Sequence, residues 1–200
     1  ILIFVCLFII KIKKKSNNVN SNGTPIISPP IKSHIDETSI ISFSTYFDHT
    51  VFITRDYSAH AIGDNSHCEI IPSLPKRIIK HITKFEIKDS QNHTYKPTTV
   101  VCGESYTLYI ATNNSKNHLI YSCSQLNGPH PLFLNTGKEK PVTIFGGCSN
   151  CASITSEGTI LIIQINAFKF PNRQIEAVSL PNSQKAVKIA FTRSFCFILS

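Results

Sequence analysis

Thr98-Thr-Val-Val-Cys-Gly-Glu-Ser-Tyr-Thr-Leu-Tyr-Ile-Ala111 reads as two short strands meeting at a corner. β-Branched and aromatic residues fill both halves, and these suit a pleated surface. Gly103 marks the corner, where a residue without Cβ supplies a positive φ or lets two backbones approach. The same outline returns in Ile40-Ile-Ser-Phe-Ser-Thr-Tyr-Phe-Asp-His-Thr-Val-Phe-Ile-Thr54, in Val142-Thr-Ile-Phe-Gly-Gly-Cys-Ser-Asn-Cys-Ala-Ser-Ile-Thr155 and in Val187-Lys-Ile-Ala-Phe-Thr-Arg-Ser-Phe-Cys-Phe-Ile-Leu-Ser200. Ile53, Ile110, Ile154 and Leu199 then occupy one shared position, with separations of 57, 44 and 45 residues. Seven residues upstream stand Tyr46, Gly103, Gly147 and Thr192, so two of the four corners keep glycine.

A hairpin follows the second strand, at Glu157-Gly158 in one unit and near Asn113-Asn114 in another. Both pairs tolerate the left-handed geometry of a tight turn. A third strand comes next, over residues 58–63, 118–122 and 159–163. Around these the chain shows short apolar runs broken by turns and no long helical stripe, which predicts an all-β fold. The strands expected are 39–44, 50–54, 98–102, 107–111, 119–122, 142–145, 159–165, 187–191 and 195–199. A unit of about 45 residues folding as one small antiparallel sheet cannot bury both of its faces alone. Radial stacking of such sheets gives a β-propeller.

At this point the residues resemble the repeats of the regulator of chromosome condensation family. His49-Thr50, Ile53 and Ala61-Ile-Gly-Asp-Asn65 match that repeat, as do Val101-Cys-Gly103 with Tyr106-Thr107, and Gly147 with Ile154 and Gly158. The repeat's tryptophan is missing throughout. The resemblance covers about residues 38–200. It implies a propeller of seven blades, about four of them visible here as sheets of three to four strands, with further repeats beyond Ser200. The structural repeat positions are then Tyr46, His49, Thr50, Ile53, Gly63, Gly103, Tyr106, Thr107, Ile110, Gly147, Ile154, Gly158 and Leu199.

Outside the repeats the chain divides in two. Residues 1–15 are an apolar run ending in Lys11, Lys13, Lys14 and Lys15, and 16–34 are a polar linker containing proline. Ten apolar residues are too few to span a bilayer, which needs about 20. The segment reads as the end of a truncated anchor, a signal-peptide core, or an extension foreign to the working protein. For a signal peptide the charges lie on the wrong side. As an anchor it would hold the chain at a membrane, with the lysines cytoplasmic. The folded part is expected over 35–200. No Met occurs in the 200 residues, which suggests a fragment.

The net charge of +8 is otherwise scattered and reads mainly as solvated surface. Seven cysteines lie mostly in apolar, strand-like runs. That placement suits buried thiols in a reducing compartment, the cytoplasm or nucleus. Cys148 and Cys151 form a Cys-x-x-Cys pair that could serve a zinc or redox site, but no second pair completes four ligands. Asp48-His49 invites a catalytic dyad, yet the repeat accounts for His49 as a corner residue whose ring satisfies backbone groups inside its sheet. No glycine-rich phosphate loop is present. We therefore expect no catalytic, cofactor or metal residues. The resemblance implies a protein-interaction propeller that binds a protein partner. Such propellers include exchange regulators of small GTPases and chromatin-associated proteins. A membrane-anchored propeller and a Cys-dependent metal or redox enzyme are the alternatives.

Overall fold

The computed structural model describes residues 39–114, 116–123, 130–147, 150–163, 175–191 and 196–200. The expected tail and linker, residues 1–34, lie outside them. Ile40–Ser200 forms one compact unit. Its first sheet runs in chain order through β1 (Ile40–Tyr46), β2 (His49–Thr54), β3 (Ala59–Gly63) and β4 (Ile79–Phe85). The second holds β5 (Ile87–Lys88), β6 (Thr94–Cys102), β7 (Tyr106–Asn113), β8 (Lys116–Cys123) and β9 (Leu132–Leu134). The third holds β10 (Pro141–Gly146), β11 (Cys151–Thr155), β12 (Ile160–Ile163) and β13 (Ile175–Val178), and a fourth pairs β14 (Lys188–Phe191) with β15 (Cys196–Leu199). Every pairing is antiparallel between chain neighbours. The architecture is an all-β propeller built of meander blades. The second blade has five strands, where three to four were expected, because β5 adds one short rung to β6.

The repeat is written in the register. β1 pairs Ile40 with Thr54 and then Ser42 with Ile53; β6 pairs Pro97 with Ala111 and then Thr99 with Ile110; β10 pairs Pro141 with Thr155 and then Thr143 with Ile154. One extra residue thus bulges from the inner strand at the same step of three sheets, and a bulge bends its strand and increases the local twist. β14 pairs Lys188 with Leu199. Along the chain β1 packs beside β6, β6 beside β10 and β10 beside β14.

Period two sends alternate residues of each second strand to opposite faces. In β7, Tyr106, Leu108 and Ile110 enter the core shared with the third sheet, together with Ile144, Cys151 and Ile163. Tyr109 and Ala111 enter the core shared with the first sheet, against Val51, Ile53 and Ile71. β7 is therefore buried on both faces from Tyr106 to Ala111, and burying each large apolar side chain contributes about 1.5–3 kcal/mol. Ala152 and Ile154 on β11 turn the other way, toward Ile189 of β14. Phe197 and Leu199 on β15 hold the places of Leu108 and Ile110 but stand about 60% exposed. Phe191 on β14 is partly buried and packs on the third core.

The hairpins between second and third strands share one design in two blades. Thr54 N donates to Ser58 O and Tyr57 N to Thr54 O; Thr155 N donates to Thr159 O and Gly158 N to Thr155 O. The third loop residue is left-handed in both, Gly158 at φ +84 and Tyr57 at φ +60. That conformation costs a residue bearing a Cβ about 1–2 kcal/mol. Tyr57→Gly should raise the midpoint of thermal unfolding, by about 1 kcal/mol in stability. Gly158→Ala should lower it by about 1–3 kcal/mol, because the new Cβ would also stand 2.9 Å from Lys185 Cα. Shifts of the same sign would contradict the shared turn.

Candidate docking face

In the first two sheets the first residue of the second strand ties its sheet to the next one. His49 is buried; its Nδ1 lies 3.2 Å from Asp48 Oδ1, and its Nε2 lies 3.1 Å from Thr107 Oγ1 on β7. One strand position on is Thr50, half-buried on β2, whose hydroxyl donates to Thr45 Oγ1 at 2.9 Å. Tyr106, two pairings from Leu108 on β7, donates its hydroxyl to Gly147 O at 3.0 Å and Asn150 O at 3.2 Å on the third sheet. The inner strands are stitched as well. Val100 N donates to Ser42 Oγ and Cys102 N to Ser44 Oγ, at 3.1 and 2.9 Å. The ring of His49 thus joins the first two sheets through the Thr107 hydroxyl.

The glycines divide by cause. Gly63 takes φ +115, and a Cβ there would collide with the carbonyl of Asp48. Gly103 keeps a negative or extended φ, and the expected backbone reason does not hold; the ring of Tyr106 lies where its Cβ would be. At Gly147 a Cβ would make ordinary contact with Phe191 Cβ, at 3.4 Å. Tyr46 packs its ring edge-on to Phe47 at 4.9 Å.

Above Gly63 the chain leaves the sheet for residues 64–78 before re-entering at Ile79, and Asn65 shapes that connection. Its side-chain amide donates to Ile71 O (3.1 Å), Leu74 O (3.3 Å) and Pro75 O (3.3 Å), and its Oδ1 accepts from Ile70 N (2.9 Å) and Ile71 N (3.2 Å). Asn65 is wholly buried, and leaving such groups unpaired would cost about 1–3 kcal/mol each. The backbone adds Asn65 N to Arg77 O at 3.3 Å and Asp64 N to Asp48 O at 2.7 Å. Tyr109 of the second sheet donates its hydroxyl to Ile70 O at 2.7 Å, which clamps the loop from the neighbouring blade. Acidic groups here are engaged locally: Asp64 accepts from Ser66, and the Ser66 hydroxyl holds its carboxyl below the usual range. Glu69 accepts from His67 N at 2.9 Å. What this rigid loop presents is Lys76, Arg77 and Ile78, the last 60% exposed. Beside it, across the Asp64–Asp48 bond, sits Phe47, 69% exposed at φ +35.

The thiols do a different job. Cys102 donates its Sγ to Ser44 O at 3.3 Å, and Cys151 lies 3.7 Å from Ile163 O. Burial pushes both up to about 12, so at neutral pH both are protonated, the state unsuited to binding metal or attacking an electrophile. Cys148 lies outside the described residues. Among those described, no three His, Cys, Asp or Glu side chains gather as a metal site. No helix among them is long and apolar enough to cross a membrane.

No family model matches the chain, and no curated protein matches it. Solved structures do. Human WBSCR16 superposes with a TM-score of 0.57 at 12% identity, over 75% of this chain and 42% of that one. Prp20p from Saccharomyces cerevisiae, described with its binding properties to Gsp1p and histones, gives 0.53 at 11% identity, over 74% and 40%. Both are propellers of the regulator of chromosome condensation type, and that is the fold of this chain. The chain spans about two fifths of the length of each.

Asn65 and the lysine–arginine pair were missed as site residues, although Pro75-Lys-Arg-Ile-Ile79 is visible in the sequence. Asn65→Ala should open the loop, and limited trypsin digestion should then cut after Lys76 and Arg77 several times faster than in the parent. An unchanged cleavage rate would mean that Asn65 does not hold the loop. His49→Leu strands the Thr107 hydroxyl and should cost about 1–3 kcal/mol in chemical denaturation. Native Cys102 and Cys151 should resist iodoacetamide at pH 8 and react only on unfolding.

Proposed function

We propose that residues 35–200 belong to a non-catalytic propeller that binds a protein partner through the corner and loop end of its first blade. The observation that carries this reading is the Asn65-braced loop. Five side-chain hydrogen bonds from one buried asparagine hold it in a fixed shape, and a preorganised loop binds without the entropic cost of ordering it. Binding residues commonly sit on loops positioned by a rigid scaffold. The strands beneath are occupied in stacking. A small GTPase, served by nucleotide exchange, is the first partner class that the family resemblance suggests, and chromatin is the second. A reducing compartment, cytoplasm or nucleus, fits the buried thiols. The exposed Phe197 and Leu199 face of β15 is where a further repeat would pack, by analogy with Leu108 and Ile110.

Binding of the full-length protein to purified small GTPases and to nucleosomes tests this. Binding to either class should fall at least about tenfold when residues 64–78 are replaced by a short Gly-Ser connection. Full retention of binding by that variant would sink the reading. So would stoichiometric zinc in the native protein, which would favour the cysteine-centred alternative.

A further inference from the structure

The exposed side chains at this end combine two chemistries. Pairings Tyr46↔His49, His49↔Gly63 and Gly63↔Ile79 set the ends of β1, β2, β3 and β4 side by side. Strands lie about 4.8 Å apart, so the β1–β2 corner and the start of β4 are separated by roughly 12 Å. Phe47 rises from the corner and Ile78 from the start of β4, and both are large, apolar and more than half exposed. Between and beside them lie Lys76, Arg77 and Lys80, all exposed and in no ion pair among the described residues. The nearby acids are taken: Asp48 by His49, Asp64 by Ser66 and Glu69 by His67. These acids keep their charge, but Glu69 is buried and Asp64 half-buried, so three exposed cations stand against one exposed carboxylate, Asp48.

Phe47 carries the second observation. It adopts φ +35 in the two-residue turn between Tyr46 and His49. A residue with a Cβ is strained there, and glycine would relieve it. The ring gains little burial in return, being 69% exposed. Its edge-on contact with Tyr46 still leaves most of the ring in water, and an exposed aromatic anchor beside arginine is the usual composition of an interface centre.

We propose that Phe47, Ile78, Lys76 and Arg77 form a docking patch for an acidic peptide segment carrying an apolar residue, supplied by the protein partner. The inference rests on the proposed interaction role and gives it a partner chemistry. The apolar residue of the segment packs between Phe47 and Ile78, while its carboxylates meet Lys76 and the forked donors of Arg77. Lys80, further along β4, extends the positive field and steers the segment in. Because the charges are exposed, affinity falls as salt rises.

Fluorescence anisotropy with the full-length protein tests the patch. The probes are a labelled peptide of Glu, Leu and Phe, its counterpart with Lys for Glu, duplex DNA, and vesicles containing phosphatidylserine. The glutamate peptide should bind, and the lysine peptide should not. Lys76→Glu with Arg77→Glu should weaken binding by about tenfold or more, and Ile78→Ser by several fold. Phe47→Gly is the decisive variant: it should unfold at a higher temperature than the parent and yet bind the glutamate peptide more weakly. Peptide binding that ignores all these changes would overturn the patch. DNA or vesicles binding at these residues while the glutamate peptide does not would overturn it too. In either case the loop-replacement experiment with GTPases and nucleosomes still decides the broader interaction role on its own.

Discussion

Second strands that carry two apolar faces are the constraint from which this architecture follows. β7 is buried on both sides from Tyr106 to Ala111, and water would meet one of those faces in any isolated sheet. Stacking is the remedy, and it must be repeated, because each added sheet brings another face that needs cover. A closed ring ends that sequence. The polar links sort themselves accordingly. His49 to Thr107 and Tyr106 to Gly147 and Asn150 satisfy polar groups at the rim of each stack, while Leu, Ile and Val fill its middle. The buried thiol of Cys102 follows the same logic, bridging the inner strands of two blades.

Stacking fixes what is left to carry function. Residues on second strands are committed to two cores, and the inner strands to one another. Freedom to vary lies at the strand ends, where connections leave the sheets. There the chain builds two kinds of link. The Thr54–Ser58 and Thr155–Thr159 hairpins are minimal. The connection after β3 is long, and Asn65 replaces the missing ladder with its own amide. Long connections that stay ordered in this way display side chains at fixed spacing, as recognition requires.

Much of this arrangement was legible in the residues. The alignment of Ile53, Ile110 and Ile154 read from the sequence coincides with the step at which three inner strands bulge. Alternation and corner residues recorded it, since both depend on neighbours close in sequence. The outer strands β4, β9 and β13 were not foreseen. Leu132–Leu134 is three residues long, and β4, Ile-Lys-His-Ile-Thr-Lys-Phe, alternates weakly because one edge of it carries exposed charges. The functions of Asn65 and Tyr109 were hidden for a different reason. Their partners, Ile70, Ile71 and Leu74, become neighbours only after the loop closes on a second blade. Gly103 lies between β6 and β7 without a positive φ, and the ring of Tyr106, three residues ahead, occupies the space of a Cβ there.

Amide hydrogen exchange resolved by residue tests the central claim, that stacked blades brace a preformed loop. Amides of Tyr109 and Ile110 should exchange only through global unfolding. Ile70 and Ile71 amides, held by Asn65 Oδ1 in a connection with no strand around it, should show protection approaching theirs. Rapid exchange at Ile70 and Ile71 in a protein whose β7 is protected would contradict the braced loop, and rapid exchange along β7 itself would contradict the stacking.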